Sequence, residues 1–264
     1  MDEVSGGAEH AESVARGRAL LAEARRILVL TGAGISADSG VPTFRGPGGL
    51  WKRRRPEELA TPQAFRSDPR LVWEWYAWRR ERVRSCAPSA GHLALARWAR
   101  SRPGITLVTQ NVDGLHEAAA RQLGAAPADA PAAPLELHGS LFRVRCTACG
   151  AERPHREPVD ASAPETLPRC ETCGGLLRPA VVWFGEPLPR AVLERALEAA
   201  ARADACLVVG TSGVVYPAAG LATEAVRGGA ALVEVNPEPT PLSLLATVTI
   251  RAGSAATLPE LLGA

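Results

Sequence analysis

The sequence predicts a doubly wound α/β protein, in which helices cover both faces of a parallel sheet, together with a smaller lobe. Short continuous apolar runs of the kind buried in parallel sheets recur at residues 27–30, 105–108, 205–209 and 231–235. Segments with apolar side chains at helical spacing precede most of these runs, at residues 11–26, 90–101, 189–203 and 216–228. Such alternation of helices with buried strands is typical of doubly wound sheets.

Two stretches interrupt the alternation and predict the smaller lobe. Residues 44–85 are rich in tryptophan and include a basic run at 52–55, and residues 140–180 hold four of the six cysteines. We interpret both stretches as insertions into the large domain. The expected division is a flexible tail over 1–13 and one domain over 14–264. In that domain the large part covers about 14–43, 90–139 and 181–264, and the small lobe about 44–89 and 140–180.

Composition excludes several classes of partner. The formal net charge is +2, from 30 basic and 28 acidic residues, so the total charge does not indicate nucleic acid or an anionic membrane. No apolar run approaches the roughly 20 residues that cross a bilayer. The first 12 residues are acidic and rich in Gly and Ala, unlike a secretory leader. We therefore expect a cytoplasmic protein with no membrane partner, and we favour a monomer.

A glycine loop follows the first apolar run. Gly32, Gly34 and Ala37 satisfy the pattern G-x-G-x-x-G/A between a strand and a helix start. This placement predicts a dinucleotide whose pyrophosphate is bound by backbone N–H groups. A plain strand-to-helix turn is the alternative.

The residues after the loop disfavour an ordinary dehydrogenase. Such an enzyme has an acidic ribose ligand about 20 residues further on, whereas this chain has the basic run at 52–55. Pro42 ends the helix early, and residues 44–49 must form a loop. A loop in this position is better suited to close over the nicotinamide end of the dinucleotide.

The cysteines predict a metal centre. Cys146 and Cys149 form one C-x-x-C pair, Cys170 and Cys173 form another, and 20 residues separate the pairs. This spacing is typical of zinc sites, and four thiolates leave no open coordination position, so one structural Zn²⁺ per chain is expected. Cysteines without metal, either reduced or disulfide-bonded, are the alternative.

Further strings carry a resemblance to a known family. They occur at residues 32–46 (GAGISADSGVPTFRG), 109–116 (TQNVDGLH), 138–139 (HG), 181–186 (VVWFGE) and 210–212 (GTS). With the cysteine quartet, in this order, they resemble the sirtuin family of NAD-dependent protein deacylases over about residues 14–262. The resemblance implies a Rossmann-like doubly wound parallel sheet, with a smaller lobe made of a structural zinc module and a helical insertion. It also implies that NAD⁺ and an acylated lysine meet in the cleft between the two parts.

The resemblance implies a set of NAD⁺-binding residues by position. They are Gly32, Ala33, Gly34, Ala37, Asp38, Phe44, Arg45, Trp51, Gln110, Asn111, Val112, Asp113, Gly210, Thr211, Ser212, Asn236, Pro237, Glu238 and Ser254. The residues from Gly32 would face the pyrophosphate, and those from Gln110 would line the nicotinamide ribose and carboxamide pocket. Polar residues directly after a buried strand also make chemical sense there, because open α/β sheets bind ligands at the carboxyl ends of their strands. For Asn111 and Asp113, a capped turn is the alternative.

His138 is the candidate catalytic residue. It stands at a strand end before a glycine, and the resembled family uses a histidine there as general base toward the nicotinamide ribose. Its ordinary pKa, about 6.5, suits that role. The implied reaction begins with attack of the acyl oxygen on the anomeric carbon of NAD⁺ and ends with free lysine and O-acyl-ADP-ribose. We interpret His92 and His116 as structural.

Acylated lysine proteins or peptides are the implied substrates, bound as an added strand between residues 183–186 and 213–216. The candidate substrate-binding residues are Ala60, Tyr76, Arg79, Val182, Phe184, Gly185, Glu186, Val214 and Val215. Tyr76 and Arg79 share one helix face at a spacing of three residues. This pair matches class III sirtuins, which favour succinyl-lysine and malonyl-lysine, and Ala60 leaves room for a longer acyl chain. An aromatic packing residue beside a solvated arginine is the alternative.

Two other functions compete with deacylation. A zinc knuckle with arginine-rich stretches could read nucleic acid, but the net charge and the single short basic run disfavour a large phosphate footprint. Transfer of ADP-ribose from NAD⁺ to a protein would use the same cofactor residues and differ only in the acceptor.

Overall fold

The computed structural model describes residues 2–43, 56–124 and 133–263. In chain order its strands are β1 (Ile27–Thr31), β2 (Ile105–Thr109), β3 (Leu135–Glu136), β4 (Gly139–Cys146), β5 (Glu152–Pro154), β6 (Leu177–Val181), β7 (Ala205–Val209), β8 (Ala231–Val235) and β9 (Val248–Ile250). Six of them form one sheet in the order β3-β2-β1-β7-β8-β9, and every neighbouring pair is parallel. The predicted doubly wound parallel sheet is confirmed.

The helices are α1 (Asp2–Glu23), α2 (Pro56–Leu59), α3 (Pro62–Ser67), α4 (Pro69–Arg84), α5 (Ala90–Ser101), α6 (Leu115–Gln122), α7 (Arg190–Ala201), α8 (Ala218–Arg227) and α9 (Ser254–Leu262). Helix α1 begins at Asp2, so residues 2–13 are helical instead of forming the expected tail. Val14 and Leu21 of this helix are buried in the core, and that packing stabilises it. Within the described ranges, no helix is both long and apolar enough to span a membrane.

The large sheet has a core on each face. In β1, successive side chains point to opposite faces, so Ile27 and Val29 join one core while Leu28 and Leu30 join the other. Side chains of α1, α5 and α9 fill the first core, and side chains of α7 and α8 fill the second. Burial on both faces explains why these strands are continuous apolar runs in the sequence.

A third core lies outside the large sheet. Strands β5, β4 and β6 form an antiparallel sheet, and its buried side chains cluster with those of α3 and α4. Trp73 on α4 lies in this cluster and donates its indole N–H to the backbone oxygen of Leu177, at 2.8 Å. We infer from this shared core that the two insertions fold together as one small lobe.

Candidate active site

A cavity of about 740 Å³ opens at the carboxyl edge of the large sheet. Its walls include the segments that follow β1, β2, β7 and β8. In the sheet, β2 lies on one side of β1 and β7 lies on the other. The strand order therefore reverses at β1. Open α/β sheets bind their ligands at such a switch point.

The glycine loop after β1 packs directly on the segment after β7. A Cβ atom at Gly34 would lie 2.6 Å from the Cα of Gly210, and one at Gly32 would lie 2.7 Å from the Cα of Thr211. The Gly34 N–H donates to the carbonyl of Gly210 at 2.8 Å. The glycines are therefore required by backbone packing. The helix after the loop, Ala33–Ser39, is a 3₁₀ helix, whereas the sequence predicted an ordinary helix start.

Polar side chains tie the loops together around the cavity. The Gln110 amide donates to the Thr211 hydroxyl at 2.8 Å, and the Asn236 amide donates to the Thr211 carbonyl at 2.8 Å. The Asn111 amide donates to the Gly32 carbonyl at 3.0 Å. These hydrogen bonds join the segments that follow β1, β2, β7 and β8.

Most of the predicted cofactor residues line this cavity. They are Gly32, Ala33, Gly34, Ala37, Asp38, Gln110, Asn111, Val112, Gly210, Thr211, Ser212, Asn236, Pro237, Glu238 and Ser254. The Ser254 hydroxyl is buried at the start of α9 and has no hydrogen-bond partner among the described residues. Phe44, Arg45 and Trp51 lie outside the described residues.

Asp113 departs from the expected placement. Its side chain does not line the cavity but is buried behind the wall, where one carboxylate oxygen accepts the Ser36 hydroxyl at 2.8 Å. The other oxygen accepts the Leu115 N–H at 3.0 Å, so the capped-turn interpretation fits this residue. Burial raises the pKa of Asp113, against the opposing effect of these hydrogen bonds and of Arg79.

His92 and His116 are also buried behind the cavity wall, close to Asp113. His92 completes a capping box with Ser89 at the start of α5, and its Nε2 lies 3.4 Å from the Ser36 hydroxyl. The Nε2 of His116 lies 2.9 Å from the Thr31 hydroxyl. Burial lowers the pKa of His92 to about 4 and that of His116 well below its ordinary value. The lowered pKa values favour neutral rings at both positions near neutral pH.

His138 lies in the turn between β3 and β4 and lines the cavity. Its Nδ1 lies 2.9 Å from the backbone oxygen of Gln110. Burial lowers the pKa of His138, and the hydrogen bond to Gln110 opposes that shift. The following residue, Gly139, has φ +75°, and a Cβ there would lie 2.1 Å from the Ala180 oxygen. Only glycine therefore allows β4 to approach β6 directly after the histidine.

The predicted acyl pair comes from one face of α4. Tyr76 and Arg79 are both largely buried, yet both line the cavity, beside Ala60. The Arg79 guanidinium carbon lies 4.9 Å from the centre of the Trp75 ring and 5.9 Å from that of Tyr76. The arginine is thus enclosed by aromatic rings and is not a solvated surface residue.

The predicted peptide-binding segments flank this pocket. Val182, Phe184, Gly185, Glu186 and Val215 line the cavity. Val214 does not line it, and its side chain is exposed. Exposed apolar side chains flanking a cleft are suited to contact a bound chain.

Trp75 contributes to the cavity wall and was not predicted. Trp183 and Tyr216 also line the cavity, and the sequence included them only through the peptide-binding segments 183–186 and 213–216. Trp183 lies within the string VVWFGE, but nothing in that string indicated that its indole N–H lies 2.8 Å from the Tyr76 hydroxyl, 107 residues away in the chain.

The four cysteines form a separate cluster whose Sγ atoms all lie within 4.8 Å of one another. The Cys146–Cys173 sulfur distance is 3.5 Å and the Cys149–Cys170 distance is 3.8 Å. Sulfurs bound at about 2.3 Å to a tetrahedral zinc are about 3.8 Å apart, so the cluster fits the ion. The predicted structural zinc site is supported by both donor set and spacing, and it lies outside the cavity wall.

Comparison with known proteins finds a matching family model and relatives with similar names. The model of the Sir2 family matches residues 32–217. The chain is 51% identical over 242 residues to NAD-dependent protein deacylase 2 of Pyrobaculum aerophilum, and the matched region covers 92% of each protein. It is 51% identical over 247 residues to an NAD-dependent protein deacylase of Thermus thermophilus, covering 92% of this chain and 91% of the relative.

Solved structures agree. A Sir2 homologue in complex with NAD superposes with a TM-score of 0.83 at 45% identity, covering 94% of this chain and 92% of the other. A complex of Sir2 with a p53 peptide and NAD⁺ superposes with a TM-score of 0.79 at 31% identity, covering 92% and 95%.

Proposed function

The chain belongs to the Sir2 family, and from that premise we propose that it is an NAD-dependent protein-lysine deacylase that prefers acidic acyl groups, succinyl and malonyl, over acetyl. The observation that carries the proposal is one continuous cavity. Its wall contains the glycine loop, His138 and the pair Tyr76 and Arg79. A cofactor loop, a base and an acyl pocket can therefore serve one reaction.

The cofactor end of the cavity suits NAD⁺ as the co-substrate. Backbone groups of the glycine loop and of Gly210 would face the pyrophosphate, and Gln110 and Asn111 would line the nicotinamide side. The unpartnered hydroxyl of Ser254 supports adenosine binding at the far end. Phe44 and Arg45 keep their proposed role in closing over the cofactor.

His138 would act as the general base. Because Nδ1 faces the Gln110 oxygen, that atom carries the proton and Nε2 has the free lone pair. The lowered pKa keeps the ring neutral at working pH. Nε2 would take the proton of a ribose hydroxyl as that oxygen attacks the acyl carbon, after the acyl oxygen has displaced nicotinamide. Water then releases lysine and O-acyl-ADP-ribose.

The acyl end explains the proposed preference. A carboxylate that enters a largely buried pocket needs a charged partner, and the Arg79 guanidinium can supply two parallel N–H donors. The main chain of residues 182–186 and 213–215 would pair with the peptide as an added strand. Zinc would stabilise the small lobe and take no part in bond making.

The test uses NAD⁺ labelled in its ADP-ribose part and peptides of one sequence that carry acetyl-, malonyl- or succinyl-lysine. We expect label in soluble acyl-ADP-ribose, and a higher kcat/KM for the two acidic acyl groups. Label retained on protein would instead indicate ADP-ribosyl transfer. A higher kcat/KM for acetyl would contradict the acyl preference and leave deacylation intact.

A further inference from the structure

We propose that Trp183 is a positioning residue for acyl specificity: its indole N–H occupies the Tyr76 oxygen, so the Tyr76 hydrogen is directed to the acidic end of the acyl group. This inference rests on the proposed function and adds a residue to it. Trp183 lines the cavity directly before Phe184, and its indole N–H bonds to Tyr76 on α4.

The first step is the polarity of one hydrogen bond. The Trp183 Nε1 lies 2.8 Å from the Tyr76 oxygen. Indole can only donate, whereas a tyrosine hydroxyl can donate or accept. Tyr76 must therefore accept here, and its own hydrogen must point elsewhere. Among the described residues, the Tyr76 hydroxyl makes no other hydrogen bond that could hold that hydrogen.

The second step is the match with a carboxylate. An ionised carboxylate only accepts hydrogen bonds, so it requires a donor. Burial raises the pKa of Tyr76, so the phenol keeps its proton at neutral pH. Arg79 next to it supplies the positive charge. Because its oxygen already accepts from Trp183, the Tyr76 hydroxyl can only donate to a substrate. A carboxylate can accept that hydrogen bond, whereas the methyl end of an acetyl group cannot.

The third step is that Trp183 itself is held in place. The Arg178 guanidinium carbon lies 3.4 Å from the centre of the Trp183 ring. Arg178 makes two bonds to the Glu186 carboxylate, at 2.5 and 2.8 Å, and Glu186 also accepts the Trp183 backbone N–H at 2.8 Å. A cation over the ring face and a locked backbone leave the indole one orientation.

The chain offers a matched control in Trp73. It lies in the same hydrophobic cluster and donates its indole N–H over the same distance, 2.8 Å, but to the Leu177 backbone. It does not line the cavity. Trp73→Phe therefore removes an equivalent indole hydrogen bond and leaves the bond between Trp183 and Tyr76 in place.

The experiment measures calorimetric binding of succinyl- and acetyl-lysine peptides of one sequence without NAD⁺, together with kcat/KM with NAD⁺. Trp183→Phe should lower the affinity for the succinyl peptide, relative to that for the acetyl peptide, by about three- to tenfold, which corresponds to the loss of one hydrogen bond. A sulfur isostere of tryptophan at 183, benzothienylalanine, keeps the ring and removes only the N–H. It should give the same change. Trp73→Phe should leave the ratio unaltered.

A double-mutant cycle tests whether Trp183 acts through the Tyr76 oxygen. In a Tyr76→Phe background the Trp183 substitutions should no longer change the succinyl-to-acetyl ratio, since their target oxygen is gone. Equal losses on both peptides, or an effect that persists without the Tyr76 oxygen, would overturn the inference. If the wild type prefers acetyl in kcat/KM, the proposed acyl preference fails. The binding cycle on the succinyl peptide then still decides the role of Trp183.

Discussion

The Nδ1 atom of His138 lies 2.9 Å from the backbone carbonyl oxygen of Gln110, so this ring nitrogen donates and Nε2 keeps its lone pair. The bond joins the turn before β4 to the segment after β2. It fixes the tautomer as well as the direction of the ring. A base needs both in order to receive a proton from a bound substrate.

We expect His138→Ala to reduce deacylation by at least about a hundredfold, the loss typical of a missing general base. NAD⁺ binding should change little, because the side chain bonds to a carbonyl of the wall and not to the glycine loop. Turnover assays and calorimetry with NAD⁺ measure the two quantities. His10→Ala, on α1, is the control. Substantial residual turnover would assign the base elsewhere.

The neutral histidine His92 predicts how stability depends on pH. In the folded protein its pKa is lowered to about 4 by burial, whereas in the unfolded chain it is about 6.5. As the pH falls below about 6.5, His92 binds a proton in the unfolded state, whereas in the folded state it does so only near pH 4. Stability should therefore fall over this window, by up to about 3 kcal/mol at about 1.4 kcal/mol per unit.

Thermal unfolding between pH 7 and pH 4.5 measures this effect. In His92→Gln the fall in Tm with pH should be shallower, whatever the variant's stability at pH 7, because the titrating group is gone. His116 contributes a fall of the same sign. Equal slopes in the two proteins would show that His92 does not resist protonation.

Zinc should be lost on removal of one ligand. Cys170→Ala and Cys149→Ala leave three thiolates and should purify with little zinc by elemental analysis. Because Cys146 and Cys170 belong to the core that also contains Trp73 and Tyr76, loss of the ion should destabilise the acyl pocket too. Cys86→Ala should retain one zinc per chain. Folded, active wild-type protein without zinc would contradict the prediction.

The sequence predicted the large sheet well because its signal is local. The apolar runs at 27–30, 105–108, 205–209 and 231–235 each fall within a strand of the sheet. Burial on both faces requires such runs, whatever the rest of the chain does. Helix α5 matches its predicted range of 90–101 for a related reason, since its apolar spacing reports one buried face.

What the sequence could not predict depends on contacts between distant segments. The position of Asp113 behind the wall follows from Ser36, in the distant 3₁₀ helix Ala33–Ser39, and the bond between Trp183 and Tyr76 joins residues far apart in the chain. The glycines of the first loop were explained by a dinucleotide, although close packing on Gly210 also requires them. No local period or motif spacing encodes such approaches.

The sharpest prediction concerns Arg79 and Tyr76. Both side chains are largely enclosed, so a bound succinyl carboxylate would lose most of its water and depend on them. Without Arg79 that carboxylate would be buried and unpaired, at a cost of roughly 2 to 5 kcal/mol. Arg79→Met should therefore lower kcat/KM for succinyl-lysine far more than for acetyl-lysine. Tyr76→Phe should act in the same direction with a smaller loss, about 1.5 to 3 kcal/mol for one hydrogen bond to a charge.

Arg82, three residues further along α4, provides the control because its side chain is exposed. Arg82→Met removes the same charge from the same helix and should leave the ratio of the two kcat/KM values unchanged. This comparison separates a carboxylate partner from a general effect of positive charge on an acidic substrate, since long-range attraction would be lost in both variants. Equal losses on succinyl and acetyl peptides in Arg79→Met would mean that Arg79 supports the helix or the nicotinamide side of the cavity, near Asp113, instead of the acyl group. Acidic acyl groups would then need a different partner, and the preference for them would have no physical basis in this pocket.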